Sequence, residues 1–404
     1  EQVVGVERRD HRLQIDHDVV SDLQPVVAAL NADDLLRVVP GIEVTPFPYG
    51  HFNAYPLDPQ ASANGGAIDW GRGGMAGFAM TPGEIFAAAR TRGARVVEVN
   101  HPRGTGTLGT FQQYFDRANL QYDYATRTLT GDFAGAEVPN SWLRLPDGSL
   151  WNDGFNALEI WNGFAMGDTD GDGRREVVSL DRVLRDWFNM LNFGYYVAPV
   201  GNSDTHTSVG DPLGMPRNLV RVPDDSGAAL ADGSITDEVM KTLEGTAAPR
   251  DIVVTNGPML AITAGGMAAI GRQVAAASGT VSFEVTVTAP TWADIDTLEV
   301  FANAAPSTPV PDGMSTAIVP LGCWTSRALA SLAANDPCTL AAVAPQAMTV
   351  QAVAVPGPGN ARVLRATVTV TIDVADIPRM TGATGTDAWL VFRDDLLALL
   401  DALG

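Results

Sequence analysis

Val200-Gly201-Asn202-Ser203-Asp204-Thr205-His206 ends an apolar run that begins at Tyr195. An apolar run of this length closed by a polar turn reads as a buried strand of an α/β fold. In such folds chemistry gathers at the carboxyl ends of the strands. Side chains alternate along extended backbone, so Asp204 and His206 share one face. A carboxylate and an imidazole aimed at a common point suit a divalent metal ion, and the same pair also occurs in ordinary turns.

Composition narrows the setting. A chain of 404 residues is the length of about two domains. It is 46% hydrophobic, yet no apolar run is long enough to cross a bilayer. The formal net charge is −21, and Lys241 is the sole lysine. So acidic a surface repels polyanions, which argues against nucleic acid and anionic membranes as partners and leaves a small-molecule substrate. An extracellular or periplasmic location fits. Cys323 and Cys338 would form a disulfide in an oxidising compartment or remain two buried thiols. The chain opens on Glu1 rather than methionine, so an upstream segment of the same precursor is expected.

The first 250 residues alternate helix and strand signals. Ile15-Asp16-His17-Asp18 ends a short apolar stretch, and a helix is expected over about 22–37. Ile42-Glu43-Val44 is an apolar strand carrying one acid, and His51, Asn53 and Tyr55 share a face of the next. Thr81-Pro82-Gly83-Glu84 is a helix start, with an N-cap, proline in the first turn and glutamate at the third position. That helix should stop at Gly93 and lead into the strand Arg95 to Asn100, ending in Asn100-His101-Pro102. An irregular insertion occupies about 104–156. Ala157 to Asn162 is a further strand, and Ser179 to Phe193 a helix with Leu180, Val183, Leu184, Trp187, Met190 and Leu191 on one face. From 251 the pattern changes to period two: Val281, Phe283, Val285 and Val287 alternate with polar residues, as do Val368, Val370 and Ile372. This predicts an antiparallel β-sandwich over 251–404, with a possible terminal helix near 393–402.

Of the five histidines, His17, His51, His101 and His206 fall at strand ends beside polar residues, and His11 stands apart. Glu43 and Asp204 fall at matching places. Four imidazoles and two carboxylates at the carboxyl ends of parallel strands are what a multi-metal site needs. Bound cations would bring a coordinated water to near-neutral pKa and clamp the oxygens of a phosphate or acyl group. No serine has the neighbours of an activated nucleophile; Ser203 reads as a turn residue.

The motifs Asp16-His17-Asp18, Gly41-Ile42-Glu43, Gly50-His51, Asn100-His101-Pro102 and Ser203-Asp204-Thr205-His206 stand in the order used by the PHP (polymerase and histidinol phosphatase) metallohydrolases, which the chain resembles. Val19-Val20-Ser21-Asp22, Asn53, Leu158 to Asn162, Thr255-Asn256-Gly257-Pro258 and Ala289-Pro290-Thr291-Trp292 are similar to the carbaryl-hydrolase-like branch. The resemblance implies a distorted (β/α)7 barrel over 1–250, and two or three divalent ions, zinc, manganese or iron. The reaction it implies is hydrolysis of a phosphoester, ester or carbamate by a metal-bound hydroxide. It makes His17 a ligand, with Ile15 where threonine is usual, and Glu43 a bridge between two ions. His51 and His101 complete the second, Asp204 serves the first and His206 the third. Asp16 would orient a ligand histidine. Arg103 would hold an anionic substrate oxygen or make a surface salt bridge.

One departure stands out. The family opens with His-x-His on its first strand, and nothing here matches it. Either that strand lies upstream of Glu1 or the motif is lost. In the second case the chain would be a catalytically impaired extracellular binding or surface-assembly protein that keeps the fold. Separately, Asp168, Asp170 and Asp172 have the spacing of a calcium loop, with Glu176 at the ninth position and Ser179 at the twelfth. The tryptophans read as core, with Trp161 the one that could border a pocket.

Overall fold

The computed structural model describes residues 24–32, 36–46, 49–57, 68–71, 79–104, 113–123, 128–131, 151–163, 166–167, 176–177, 180–192, 195–205, 213–245, 250–272, 274, 280–290, 299–302, 325–328, 346–356 and 362–372. The chain divides into two compact units, Glu1–Gln121 with Leu129–Asn256, and Tyr122–Thr128 with Gly257–Gly404.

Up to residue 256 the order is α1 (Gln24–Leu30), β1 (Ile42–Val44), β2 (Phe52–Tyr55), α2 (Pro82–Thr91), β3 (Val96–Val99), α3 (Tyr114–Arg117), β4 (Gln121–Asp123), β5 (Thr128–Thr130), β6 (Ala157–Asn162), β7 (Met166–Gly167), β8 (Glu176–Val177), α4 (Leu180–Asn192), β9 (Ala198–Asn202), β10 (Arg217–Val220), α5 (Gly227–Ala231), α6 (Ser234–Glu244) and β11 (Ile252–Thr255). α1 is shorter than the helix expected over 22–37. The amide of Asn31 pairs with the backbone N–H and C=O of Val38, at 2.6 and 3.1 Å, and turns the chain there.

Five strands form one sheet in the order β1-β2-β3-β6-β9. β3, β6 and β9 are parallel, while β2 runs antiparallel to both its neighbours. The expectation of parallel strands throughout is corrected there: the amino end of β2 lies beside the carboxyl ends of β1 and β3. Hydrophobic spacing marks a strand without giving its direction, which is why the sequence did not show this.

Register separates the two faces, because directly paired residues point the same way. Phe52 pairs with Val44 and with Val99, and Val99 with Leu158. This apolar face meets an aromatic layer in which Phe52 stands edge-on to Phe86 and Tyr114 at 5.0 and 5.2 Å, and Tyr114 stacks on Trp151. On the other face Glu43 pairs with Asn53 and Asn53 with Glu98. Below that polar row the same face turns apolar. Tyr55, Val96, Ala157, Ala198 and Val200 pack there with Ile235, Val239, Met240 and Leu243 of α6.

α2 forms where the sequence places it. Thr81 and Glu84 satisfy each other's backbone N–H groups in a complete capping box, Pro82 occupies the first turn, and Ile85, Phe86 and Ala89 are buried. At the far edge β9 is closely approached by the β10–β11 ladder. A Cβ on Gly201 would lie 2.6 Å from Val254 Cγ1, so only glycine fits. The Asn218 side chain pairs with both the N–H and the C=O of Gly201, at 2.8 and 3.0 Å.

The second unit contains β12 (Met259–Ala264), β13 (Met267–Ala268), β14 (Thr280–Ala289), β15 (Glu299–Ala302), β16 (Thr325–Ala328), β17 (Gln346–Pro356) and β18 (Arg362–Ile372). Its antiparallel five-stranded sheet runs β13-β12-β14-β18-β17. Val281, Phe283 and Val285 pair with Val370, Val368 and Ala366, so the two alternating stretches are neighbours. Beyond residue 257, among the described residues, the remaining β structure is the β15–β16 ladder. Cys323, Cys338 and the expected terminal helix lie outside the described residues.

Candidate metal centre

Three elements of the first unit bring one carboxylate and two imidazoles together. Glu43 is the middle residue of β1, His51 precedes β2, and His101 follows β3. His51 Nδ1 lies 3.1 Å from Glu43 Oε1, and His101 Nε2 lies 3.9 Å from the same oxygen. The two rings meet edge-on with centroids 4.7 Å apart. One candidate ligand atom from each residue lies within 4.8 Å of the others. Ligands about 2.1 Å from an ion at tetrahedral angles stand roughly 3.4 Å apart, so this set is close to the size a divalent ion requires. The side chains are 24%, 30% and 19% exposed for Glu43, His51 and His101, which leaves the group reachable.

Local backbone explains how each ligand is held. Gly50 has φ +94°, and a Cβ there would lie 2.7 Å from Gln113 Oε1 and 2.8 Å from Tyr114 N. Glycine alone lets the chain pass so close to α3 before His51. The Asn100 N–H donates to His51 C=O at 3.1 Å, and the Asn100 amide donates to Glu43 Oε1 at 3.0 Å. His101 has φ +24°, a conformation rare outside glycine, and its N–H donates to Glu159. His101 Nδ1 and Asn100 Oδ1 are buried with no hydrogen-bond partner among the described residues.

Charge matches this geometry. Burial opposes ionisation of Glu43, but the His51 hydrogen bond, the charges of His51 and His101, and the Asn100 amide outweigh it and hold the carboxyl down at about 2. Burial, then the neighbouring His51, push His101 toward its neutral, ligating form, against the pull of Glu43 and Asp204. Nitrogen donors beside a fixed carboxylate suit zinc, manganese or iron.

Behind the triad lie two buried acids that sequence reading left unassigned, Glu98 and Glu159, each 1% exposed. Glu98 accepts from the Tyr55 hydroxyl at 2.8 Å and from the Asn202 amide. Burial pushes it up to about 7, helped by the charge of Glu43 and resisted by its amide and hydroxyl donors. Burial and the charges of Glu98 and Asp204 likewise raise Glu159. The signal available in the sequence was an acid inside each of two apolar strands, Val96 to Val99 and Ala157 to Ile160.

The other expected residues fall as follows. Asp204 lies just beyond β9, exposed, with φ +46°, and accepts from the Asn162 amide at 3.1 Å. Arg103 is buried. Its guanidinium is 0% exposed, pairs with Asp186 through two nitrogens at 2.7 and 3.0 Å, and reaches Asp116 at 3.1 Å. The alternative expectation, a surface salt bridge, is corrected in place: the ion pair is buried, with Arg103 0% and Asp186 1% exposed. Asp16, His17, His206, Asp168, Asp170 and Asp172 lie outside the described residues; Glu176 falls in β8, whose pairing with β7 brackets residues 168–175. No family model, curated protein or solved structure matches the chain.

Proposed function

We propose that this chain is a metal-dependent hydrolase of the PHP type that cleaves a phosphoester, ester or carbamate. The observation that carries the reading is the single Glu43 oxygen facing imidazole nitrogens from two other segments at 3.1 and 3.9 Å. Glu43, His51 and His101 would hold a divalent ion, with Asp204 at the end of β9, one strand beyond β6, and, by the resemblance, His17 and His206 for further ions. When bound, such ions supply Lewis acidity toward water and toward the oxygens of the scissile group.

The chain's own groups have distinct tasks in this reading. Glu43 stays anionic across the physiological range and offers a permanent negative charge. Asn100 fixes one of its oxygens by hydrogen bonding. His101 presents Nε2 to the group from a backbone conformation fixed by Glu159. Arg103 ties the segment just after β3 to α4 through Asp186.

The test is elemental analysis of the purified chain. It is followed by a screen of p-nitrophenyl phosphate, a phosphodiester, a carboxyl ester and a carbamate with Mn²⁺ or Zn²⁺. The expected result is stoichiometric metal and turnover of at least one substrate, both lost in His51→Ala and His101→Ala. A metal-loaded, folded chain inert toward all four would refute the hydrolase reading.

A further inference from the structure

β6 carries an irregularity whose position is informative. Glu159 pairs with Val200 and Trp161 with Gly201, so Ile160 is an extra residue in the strand. Strict alternation would send Glu159 and Asn162, three residues apart, to opposite faces. The bulge instead brings them to one face, since Asn162 pairs with Asn202 and Val200 and Asn202 lie on one side of β9. Bulges are often placed where a side chain must be re-aimed, commonly beside functional sites.

What the re-aimed side chains touch gives the reason. One oxygen of Glu159 accepts from the backbone N–H of His101. Its other oxygen accepts from Asn162 Nδ2 at 3.1 Å, and the same nitrogen donates to Asp204 Oδ2 at 3.1 Å. His101 and Asp204 are two of only three non-glycine residues among those described with positive φ. Such backbone persists where surrounding contacts impose it, and it clusters at functional sites. Here a single buried carboxyl, 1% exposed, lies between both strained positions.

We propose that Glu159 is a positioning residue that sets two arms of the metal centre at once, His101 directly and Asp204 through Asn162. The proposal rests on the reading of Glu43, His51, His101 and Asp204 as metal ligands. Glu159 itself holds no ion. It fixes where the β3 and β9 ends place their ligands, and the bulge exists to let Asn162 complete the link. Glutamine at 159 would set an amide donor against either the His101 N–H or the Asn162 amide, so one of the two arms must let go in either orientation.

The experiment titrates the full 404-residue chain, Glu159→Gln and Asn162→Ala with Co²⁺, following the visible bands and the bound-metal count. Circular dichroism and melting check the fold of each. Groups that orient metal ligands typically cost about 10–100-fold in affinity when replaced. Glu159→Gln should show a loss of that size with a changed Co²⁺ spectrum. Asn162→Ala, which frees only the Asp204 arm, should show a smaller loss. A folded Glu159→Gln chain with wild-type affinity and spectrum would overturn the proposal while leaving the metal centre standing. Should Glu159→Gln fail to fold, unchanged binding by Asn162→Ala overturns it instead. Absence of Co²⁺ binding by the wild type would remove the metal centre and this proposal together.

Discussion

The hydroxyl of Tyr55 donates to the carboxylate of Glu98 at 2.8 Å inside the sheet, with both side chains buried. Tyr55→Phe removes the donor and leaves a buried acceptor short of a partner. The expected cost is about 1–3 kcal/mol of folding stability. Chemical denaturation at fixed pH measures it, and a change under about 0.5 kcal/mol, the size usual for an uninvolved surface site, would show the bond contributes nothing.

The contribution of Glu98 to the stability of the metal-free chain should fall as pH rises from about 4.5 to about 7, because burial raises its carboxyl from 4.5 to about 7, while His101, held toward its neutral form, acts oppositely. Over that window Glu98 is more protonated in the folded chain than in the unfolded one, so raising pH favours unfolding; above about 7 that loss is complete. Glu159, raised by burial and by Glu98, acts in the same direction. Glu43 acts oppositely: held down at about 2, it contributes stability present above 4.5 and lost as pH falls toward 2. Urea melts across this range check both slopes, and Glu98→Gln should flatten the upper one.

Arg103→Met should destabilise the first unit by about 3–5 kcal/mol, since it leaves carboxylates buried without their cation. Asp186 is 1% exposed. Arg103→Lys should recover little, because one ammonium cannot reproduce the two-pronged contact with Asp186 and the bond to Asp116. Thermal melting reports the loss. A stable Arg103→Met chain with impaired turnover would point to a substrate contact instead.

Gly50→Ala should cost about 1–3 kcal/mol from positive φ alone. It should also displace His51, because the new methyl group meets Gln113 and the Tyr114 backbone at 2.7 and 2.8 Å. The combination separates it from a purely structural change: metal affinity should drop together with melting temperature.

Much of the scaffold was legible before any coordinates. Proline and threonine at 81–82 fixed the start of α2, and β6 spans Ala157 to Asn162 as read. The period-two stretches around Val285 and Val368 are hydrogen-bonded neighbours. Glu43, His51 and His101, which the sequence marks as polar residues at strand ends, lie together. Three things were hidden. The antiparallel run of β2 has no local signature, so the sequence reads His51 at a carboxyl strand end, whereas it lies before an amino end. The partners of Arg103 include Asp186, 83 residues away, and separations of that kind are set by packing rather than spacing. Glu98 and Glu159 carry no clear signal, because an acid within an apolar strand resembles an exposed edge position until the second face is covered.

The pairing of Glu43 with Asn53 and of Asn53 with Glu98 gives the sheet a built-in checkpoint. If β2 slipped by one residue, Phe52 would land in the acidic row and Asn53 among the rings of Phe86 and Tyr114. A misaligned chain therefore cannot bring Glu43, His51 and His101 together, and the proposed ion would reward only molecules whose strands have already found their proper partners.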